Sequence, residues 1–260
     1  IGSEVTTVEV RVDSPVFSCR VIRCLSPAER RRLLDRGVTK SLRPGEILHL
    51  AGDRERRVHV VTRGVIKMTA RDAQGAETIL CLAVPGDVVG DIAALDELPQ
   101  PLDAVAATPC SVVGVDADLF LDVISSSRAA VLELGRALAG RTRWVCETAL
   151  ERTSSEVPAR LAGRLLDLAD LIGFVRHGAI EMELPLPQRD LGRLAGMCRE
   201  SACKTMRRFK SQGMLDYDGQ KVRILDAAAL EEIRSGAPVA RPSRSIDEEA
   251  RPRSRSSAGT

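Results

Sequence analysis

Two cysteines lie among charged residues in a short basic segment, GMCRESACKTMRRFKSQGML, at residues 196–215. Cys198 directly precedes Arg199, and Cys203 directly precedes Lys204. An arginine near the start of a helix can pair bidentately with guanine in the major groove of DNA. A thiol at a helix start beside a cation has the lowered pKa that makes it reactive toward oxidants. The segment therefore predicts DNA contact and raises the question of what its thiols do.

The residues around this segment predict a helix-turn-helix followed by a β-hairpin. Apolar residues recur at helical spacing on both sides of Gly196, which predicts two short helices joined by a glycine turn. Two alternating stretches then flank Asp218-Gly219, a strong hairpin signal. Together these features predict a winged helix. The residues predicted to face inward are Leu191, Leu194, Ala202, Met206 and Phe209.

Charge is concentrated in residues 189–210, here called the reader segment. The whole chain has a formal net charge of only +2, but the reader segment contains seven bases and two acids. Because DNA binding requires phosphate neutralisation, this excess predicts double-stranded DNA as a partner. Arg199 and Glu200 occupy the base-reading end of the second helix, and Lys204 follows one turn later. The other predicted DNA contacts are Gln188, Arg189, Ser201, Arg207 and Arg208.

The rest of the chain divides into units by its composition and by the periodicity of its apolar residues. Between Leu42 and Phe120, turn-forming pairs such as Pro44-Gly45 separate β-prone runs, as in a sandwich, barrel or roll. Long helical periodicity follows, and the Pro-, Ser- and Arg-rich end predicts disorder. The predicted fold class is α+β. Its predicted units are an N-terminal extension (1–24), a β domain (25–126), a dimerisation helix (127–153), a winged helix-turn-helix domain (154–235) and a disordered tail (236–260).

Two stripes run along the predicted long helix. One stripe suits the β domain, and the other suits the same helix of a second chain in a twofold homodimer. A helix buried within one subunit is the alternative. The first stripe contains Val131, Leu134, Leu138, Val145 and Ala149, and the second contains Leu132, Ala139, Thr142 and Cys146.

Composition predicts a cytoplasmic protein that is not an enzyme. No run of eighteen apolar residues is present, and the first residues lack the pattern of a secretion signal, so no membrane association is expected. The seven cysteines are scattered, which indicates reduced thiols rather than a disulfide framework. The sequence contains no recognisable catalytic triad, metal-ligand cluster or glycine-rich phosphate loop, so no catalytic residue and no metal site is predicted.

These units resemble the Crp/Fnr family of transcription regulators. The resemblance is carried by RDLGRLAGMCRESACKTMRRFKSQGML and by LRPGEILHLAGD, VVTRGVIKM and VPGDVVGD. It implies a double-stranded, jelly-roll-like β-roll as a sensor domain, a long dimerisation helix and a winged helix that reads a palindrome. Arg199 and Glu200 would be the base readers, and Lys204 stands where the family usually has Arg. RNA polymerase is a further partner implied by the resemblance.

The resemblance also implies a ligand pocket in the roll. Members that bind cyclic nucleotides have a Gly-Glu pair followed by an Arg-Ser pair that holds the phosphate. Here Gly90-Asp91 occupies the first place, but Pro101-Leu102 occupies the second. Because a phosphodiester without a cation is poorly held, the sequence predicts against cyclic AMP as the effector. The predicted pocket residues are Gly90, Asp91, Ile92 and Cys146.

No cofactor is firmly predicted, although an iron–sulfur cluster stays open as an alternative. Some family members sense oxygen through a cluster held by N-terminal cysteines and one cysteine of the roll. Cys19, Cys24 and Cys110 stand near those places, and Cys81 could complete a set of four thiolates. Haem is less well supported, because the three histidines form no ligand motif.

Direct thiol oxidation is a second way in which DNA binding could be controlled. Cys198 stands at the predicted N-cap, where the family usually has Ser, and Cys203 lies on nearly the same side of the helix. A ligand-binding or protein-interaction module, with DNA binding as a secondary property, is a further alternative.

Overall fold

The computed structural model describes residues 19–236, and its N-terminal part is built from two antiparallel sheets and flanking helices. This part, here called the roll, begins with helix α1 and ends with helix α4. Its helices are α1 (Arg20–Arg23), α2 (Pro27–Leu34), α3 (Asp91–Asp96) and α4 (Ala117–Ser125). Its strands are β1 (Val38–Leu42), β2 (Ile47–His49), β3 (Arg57–Arg63), β4 (Ile66–Arg71), β5 (Glu77–Ala83), β6 (Val88–Val89), β7 (Asp103–Ala106) and β8 (Cys110–Asp116).

The strand orders of the two sheets are β1-β8-β3-β6 and β2-β7-β4-β5. In the first sheet Val60 pairs with Val113, and in the second Met68 pairs with Ala104. One core cluster draws on both sheets, because Val61 and Val112 of the first pack with Ile66 of the second. This arrangement confirms the predicted β-roll within an α+β fold.

A long helix and a winged helix form the C-terminal part. Leu161, Leu191 and Phe209 are fully buried in its core, and the five residues predicted to face inward are all buried. Its sheet has the order β11-β12-β10-β9. The elements are α5 (Arg128–Ser154), α6 (Val157–Ile172), β9 (Phe174–Arg176), β10 (Ala179–Glu183), α7 (Gln188–Leu194), α8 (Arg199–Ser211), β11 (Leu215–Asp218), β12 (Lys221–Ile224) and α9 (Ala227–Arg234).

The stripe of α5 predicted to face the β domain is partly wrong. Leu134 and Leu138 pack against the core of the roll, and Val145 lines a cavity between the roll and α5. Val131 and Ala149 are exposed. Arg141 forms an ion pair with the roll, and Trp144 donates a hydrogen bond to it. Polar contacts of this kind cannot be predicted from the spacing of apolar residues along a helix. The second stripe, Leu132, Ala139, Thr142 and Cys146, is exposed throughout.

The first described residues belong to the core of the roll. Cys19 is buried at the N-cap of α1, and Val21 and Ile22 of that helix pack beside it. Most of the predicted N-terminal extension and the predicted disordered tail lie outside the described residues. Of the helices in residues 19–236, none has both the length and the apolar character needed to span a membrane.

Two buried histidines make the stability of the roll sensitive to acid. His49 is 6% exposed and His59 is 8% exposed. Burial lowers the pKa of both imidazoles, and that of His59 falls to about 3. An unfolded histidine titrates near pH 6.5, so the unfolded chain takes up protons that the folded chain excludes.

We therefore expect the contribution of the two buried, neutral histidines to the free energy of unfolding to be complete above about pH 6.5. It should be lost as the pH falls from there toward about 3. The loss should be about 1.4 kcal/mol per pH unit for His59 alone. Urea unfolding at pH 7, 6 and 5 measures it. His59→Gln removes the titrating group, and an equally steep loss in this variant would contradict the assignment to His59.

Candidate nucleic-acid interface

The turn at Gly196 positions α8 against α7. Gly196 has φ +64°, and a Cβ atom there would lie 2.8 Å from Nε of Arg152. Both the left-handed backbone and this close approach favour glycine. The Met197 amide donates to the Gly192 carbonyl at 2.9 Å, which holds the turn closed. The predicted glycine break between the two helices is confirmed.

Helix α8 has one buried face and one charged face. Ala202, Met206 and Phe209 are buried, and the last two belong to the core cluster of the winged helix. Ser201 is half-buried, and its carbonyl accepts from the Thr205 hydroxyl at 2.8 Å. The structure brings five of the predicted contacts together on exposed surface: Arg199, Glu200, Lys204, Arg207 and Arg208.

The four cations of this face have no carboxylate partner within the described part of the chain. Arg199, Lys204, Arg207 and Arg208 therefore keep their donors available to a ligand. An exposed, unpaired cation remains hydrated and mobile until an anion binds it, which suits phosphate neutralisation.

The two predicted contacts on α7, Gln188 and Arg189, lie beside this face and differ in their exposure to solvent. Arg189 is exposed and lies 3.5 Å from Asp190. Gln188 is half-buried, and its Oε1 accepts from the Cys203 thiol at 3.1 Å. This contact holds the start of α7 against α8.

Part of the excess charge of the reader segment faces the roll rather than open surface. Arg193 contacts Glu77 at 3.2 Å and Asp190 at 3.0 Å. Lys67 of β4 contacts Glu77 at 2.8 Å and Asp190 at 3.1 Å. These four residues, here called the roll clamp, join α7 to the edge of the roll. Counting Arg193 toward phosphate neutralisation was wrong, because its charge is already paired.

Lys210 is also paired, in this case with the hairpin β11–β12, here called the wing. Its ammonium lies 2.6 Å from the Asp216 carboxylate and 5.1 Å from the ring centre of Tyr217. The hydrogen bond raises the pKa of Lys210 and lowers that of Asp216. Lys210 therefore connects the end of α8 to the wing.

Cys198 is the N-cap residue of α8, as predicted, and its side chain makes no cap hydrogen bond. The thiol is exposed and lies 3.2 Å from the Ser201 hydroxyl. A hydroxyl at this position would accept from a free backbone amide of the first turn, whereas a thiol is a weak acceptor. The cap is therefore weak, and its sulfur is accessible.

Four further cysteines, Cys19, Cys24, Cys81 and Cys110, are dispersed through the roll. Cys19 and Cys110 belong to different core clusters, and the Cys110 thiol donates to the Val65 carbonyl at 3.1 Å. Burial raises the pKa of Cys19, and it raises that of Cys81 to about 11. Cys24 is half-buried beside α1. Residues 19–236 contain no group of three or more His, Cys, Asp or Glu side chains arranged as metal ligands.

The predicted pocket residues line one cavity between the roll and α5. Gly90, Asp91, Ile92 and Cys146 share it, and its volume is about 250 Å³. Asp91 is 1% exposed, and its carboxylate is paired with Arg141 of α5. Arg141 was not predicted as a pocket residue, because a single arginine on a charged helix gives no sign of where it points. Pro101 and Leu102 also line the cavity and make its lining largely apolar.

Comparison with protein families supports both parts of the fold. The family model described as a cyclic nucleotide-binding domain matches residues 39–127. The family model described as a Crp-like helix-turn-helix domain matches residues 159–233. The first match covers β1 to β8, and the second covers most of the winged helix.

Curated relatives and solved structures extend the same similarity over most of the chain. The CRP-like cAMP-activated global transcriptional regulator of Mycobacterium tuberculosis is 28% identical over 198 residues, which cover 74% of this chain and 88% of that protein. The transcriptional activator protein FnrA of Stutzerimonas stutzeri is 24% identical, covering 76% and 81%. FixK2 of Bradyrhizobium japonicum shares the fold with a TM-score of 0.68 at 22% identity, covering 76% of this chain and 96% of that one.

Proposed function

Because the chain belongs to the Crp/Fnr family of DNA-binding transcription regulators, we propose that two copies bind a palindromic site with one α8 in each of two successive major grooves. The exposed face of α8 carries this proposal. Its four cations have no carboxylate partner among the described residues, and its opposite face is buried in the winged helix. Arg199 and Glu200 at the start of α8 would contact bases, and Arg207 and Arg208 would contact phosphates.

The exposed face of α5 supports a twofold dimer. Leu132 is 47% exposed and Leu150 is 67% exposed, and both lie on a helix whose other side contacts the roll. Large apolar side chains in a row on one helix are stabilised when an identical helix covers them. A twofold axis along α5 would relate the two α8 helices, as the two halves of a palindrome require.

DNA binding by the full chain tests the proposal. Random duplexes are first selected on the protein, and affinity is then measured by fluorescence anisotropy for the selected palindrome, one half-site and a scrambled duplex. We expect the palindrome to bind most tightly and a dimer by light scattering. Equal affinity for the palindrome and the scrambled duplex would overturn the proposal.

Cyclic AMP is not the effector in this proposal. The cyclic phosphate would need a cation at the position that Pro101 and Leu102 occupy, and the nearby Arg141 is paired with Asp91. We expect millimolar cyclic AMP to leave the affinity for the palindrome unchanged in anisotropy titrations. A tightening of tenfold or more, as expected of an activating ligand, would contradict this prediction.

Thiol control at Cys198 is a second regulatory candidate, supported by its exposure at an unbonded N-cap. We expect Cys198→Ser to raise the free energy of unfolding by about 0.5–1 kcal/mol, because the hydroxyl caps α8. Diamide should weaken DNA binding by the native chain and leave the serine variant unaffected. Equal loss of binding in both proteins would assign the sensitivity to another thiol.

Regulation further involves RNA polymerase in this proposal, because a protein bound near a promoter either recruits the enzyme or blocks it. Transcription in vitro from templates carrying the selected palindrome at several distances from the start site distinguishes the two. A transcript level that never responds to the protein would exclude both.

A further inference from the structure

Arg164 of α6 is almost completely buried, with 2% of its surface exposed. Three partners on α5 surround its guanidinium. It lies 2.5 Å from the Glu151 carboxylate, donates to the Thr148 hydroxyl at 3.1 Å and stacks 4.2 Å from the ring centre of Trp144. A buried cation strongly disfavours any movement that removes its partners, because no water replaces them.

The same face of α5 also contacts the roll. The Trp144 indole donates to the Leu80 carbonyl of β5 at 2.8 Å, and Arg141, one turn earlier, pairs with Asp91. Arg141, Trp144, Thr148 and Glu151 are separated by three, four and three residues, so they lie on one helical face. Along this face, α5 is attached to the roll at one end and to α6 at the other.

Arg164 also connects to the remainder of the winged helix. Its guanidinium lies 3.3 Å from Asp167, whose carboxylate lies 3.3 Å from Arg234 of α9. Leu165, the next residue, belongs to the same core cluster as Phe209 of α8. A rotation of α6 about α5 would therefore carry α8 with it.

We propose that Arg164 is a positioning residue that holds α8 at a set angle to α5 and thereby determines the half-site spacing accepted by the dimer. This inference rests on the proposed function. Loss of its contacts with Trp144, Thr148 and Glu151 would widen the range of angles that each winged helix adopts against α5, within the limit that the roll clamp still sets. The affinity for the best palindrome would fall. The further loss of affinity on palindromes with another half-site spacing would be smaller than in the native chain. Base preference within one half-site would not change, because α8 itself is intact.

Spacing variants of the palindrome test this inference on the full-length protein. One inserted base pair moves a half-site by about 3.4 Å and rotates it by about 35°. We expect the native chain to lose about tenfold or more in affinity on this insertion. Glu151→Gln and Arg164→Lys should each weaken binding to the native spacing by about tenfold and reduce the penalty of the insertion.

Glu133→Gln is the matched control, because Glu133 also pairs with an arginine but does so within α5, through Arg136. Glu133→Gln should bind the palindrome as tightly as the native chain and lose as much affinity on the insertion. Trp144 is the single tryptophan of the protein, and Arg164 stacks on its ring. The wavelength of maximal tryptophan fluorescence should therefore shift in Arg164→Lys and stay unchanged in Glu133→Gln.

The outcomes separate this inference from the proposed function. A native chain that fails to prefer any palindrome refutes the proposed function. A native chain that prefers one, while Glu151→Gln and Arg164→Lys keep the full spacing penalty, overturns the role of Arg164 alone.

Discussion

Replacing Arg199 by alanine should remove most of the preference of this protein for its palindrome over unrelated DNA. Arg199 is the first residue of α8, is exposed, and has no carboxylate partner within the described chain. A bidentate arginine–guanine pair contributes roughly 1–3 kcal/mol of discrimination, and a dimer contains two such arginines. The specific affinity should therefore fall by roughly 2–6 kcal/mol, while nonspecific binding persists. Anisotropy titrations against the palindrome and a scrambled duplex measure both effects.

Arg207→Ala is the control for this experiment, because it removes an equal charge from the same face of α8. A phosphate contact carries no sequence information, so this variant should weaken binding to both duplexes alike and reduce the salt dependence of binding. If Arg199→Ala behaved in the same way as Arg207→Ala, Arg199 would be a phosphate contact and not a base reader.

Replacing Asp190 by alanine should have the largest effect on stability of any change that removes one charge from the reader segment. Asp190 is 3% exposed, and like Glu77 it contacts both Lys67 and Arg193 of the roll clamp. Without it, Lys67 stays buried with Glu77 as its remaining partner. Removing one partner of a buried ion pair typically costs about 3–5 kcal/mol. Urea unfolding measures the loss.

Asp122→Ala is the matched control, because Asp122 pairs with Arg32 at the surface, where both side chains are more than half exposed. Its loss should cost about 1 kcal/mol or less. The double variant Lys67→Met with Asp190→Leu should recover much of the stability, because no uncompensated charge is left buried between α7 and the roll. An effect of Asp190→Ala no larger than that of Asp122→Ala would show that the roll clamp does not stabilise the domain contact.

The features predicted correctly from the sequence are those that short stretches of chain determine. Gly196 and Gly219 have φ of +64° and +58°, a left-handed backbone that few other residues adopt, so the turn and the wing could be placed without tertiary information. The inward residues of α8 follow from a helical period that any amphipathic helix must obey. The position of Cys198 at the N-cap follows from the same two signals.

The features that were missed depend on residues far apart in the chain. Arg193 and Lys204 look alike in the sequence, yet Arg193 contacts Glu77 of the roll and Lys204 is exposed. Arg141 and Arg164 were passed over because their partners come from other elements. Val131 and Ala149 of α5 are exposed, although their spacing predicted contact with the β domain.

The sequence by itself determined the α+β class, the helix-turn-helix, the wing and the exposed charges of α8, since backbone preference and side-chain period act over a few residues. Only the tertiary structure decided which charges are free. The sequence shows that a side chain is charged but does not show whether a carboxylate from another domain lies beside it. Only the packing of the domains determines which carboxylate that is. The exposed cations of α8 are unpaired among the described residues, whereas the charges of the roll clamp and of the buried Arg164 are paired. On this difference rests our proposal that the first group binds DNA and the others hold the winged helix in place.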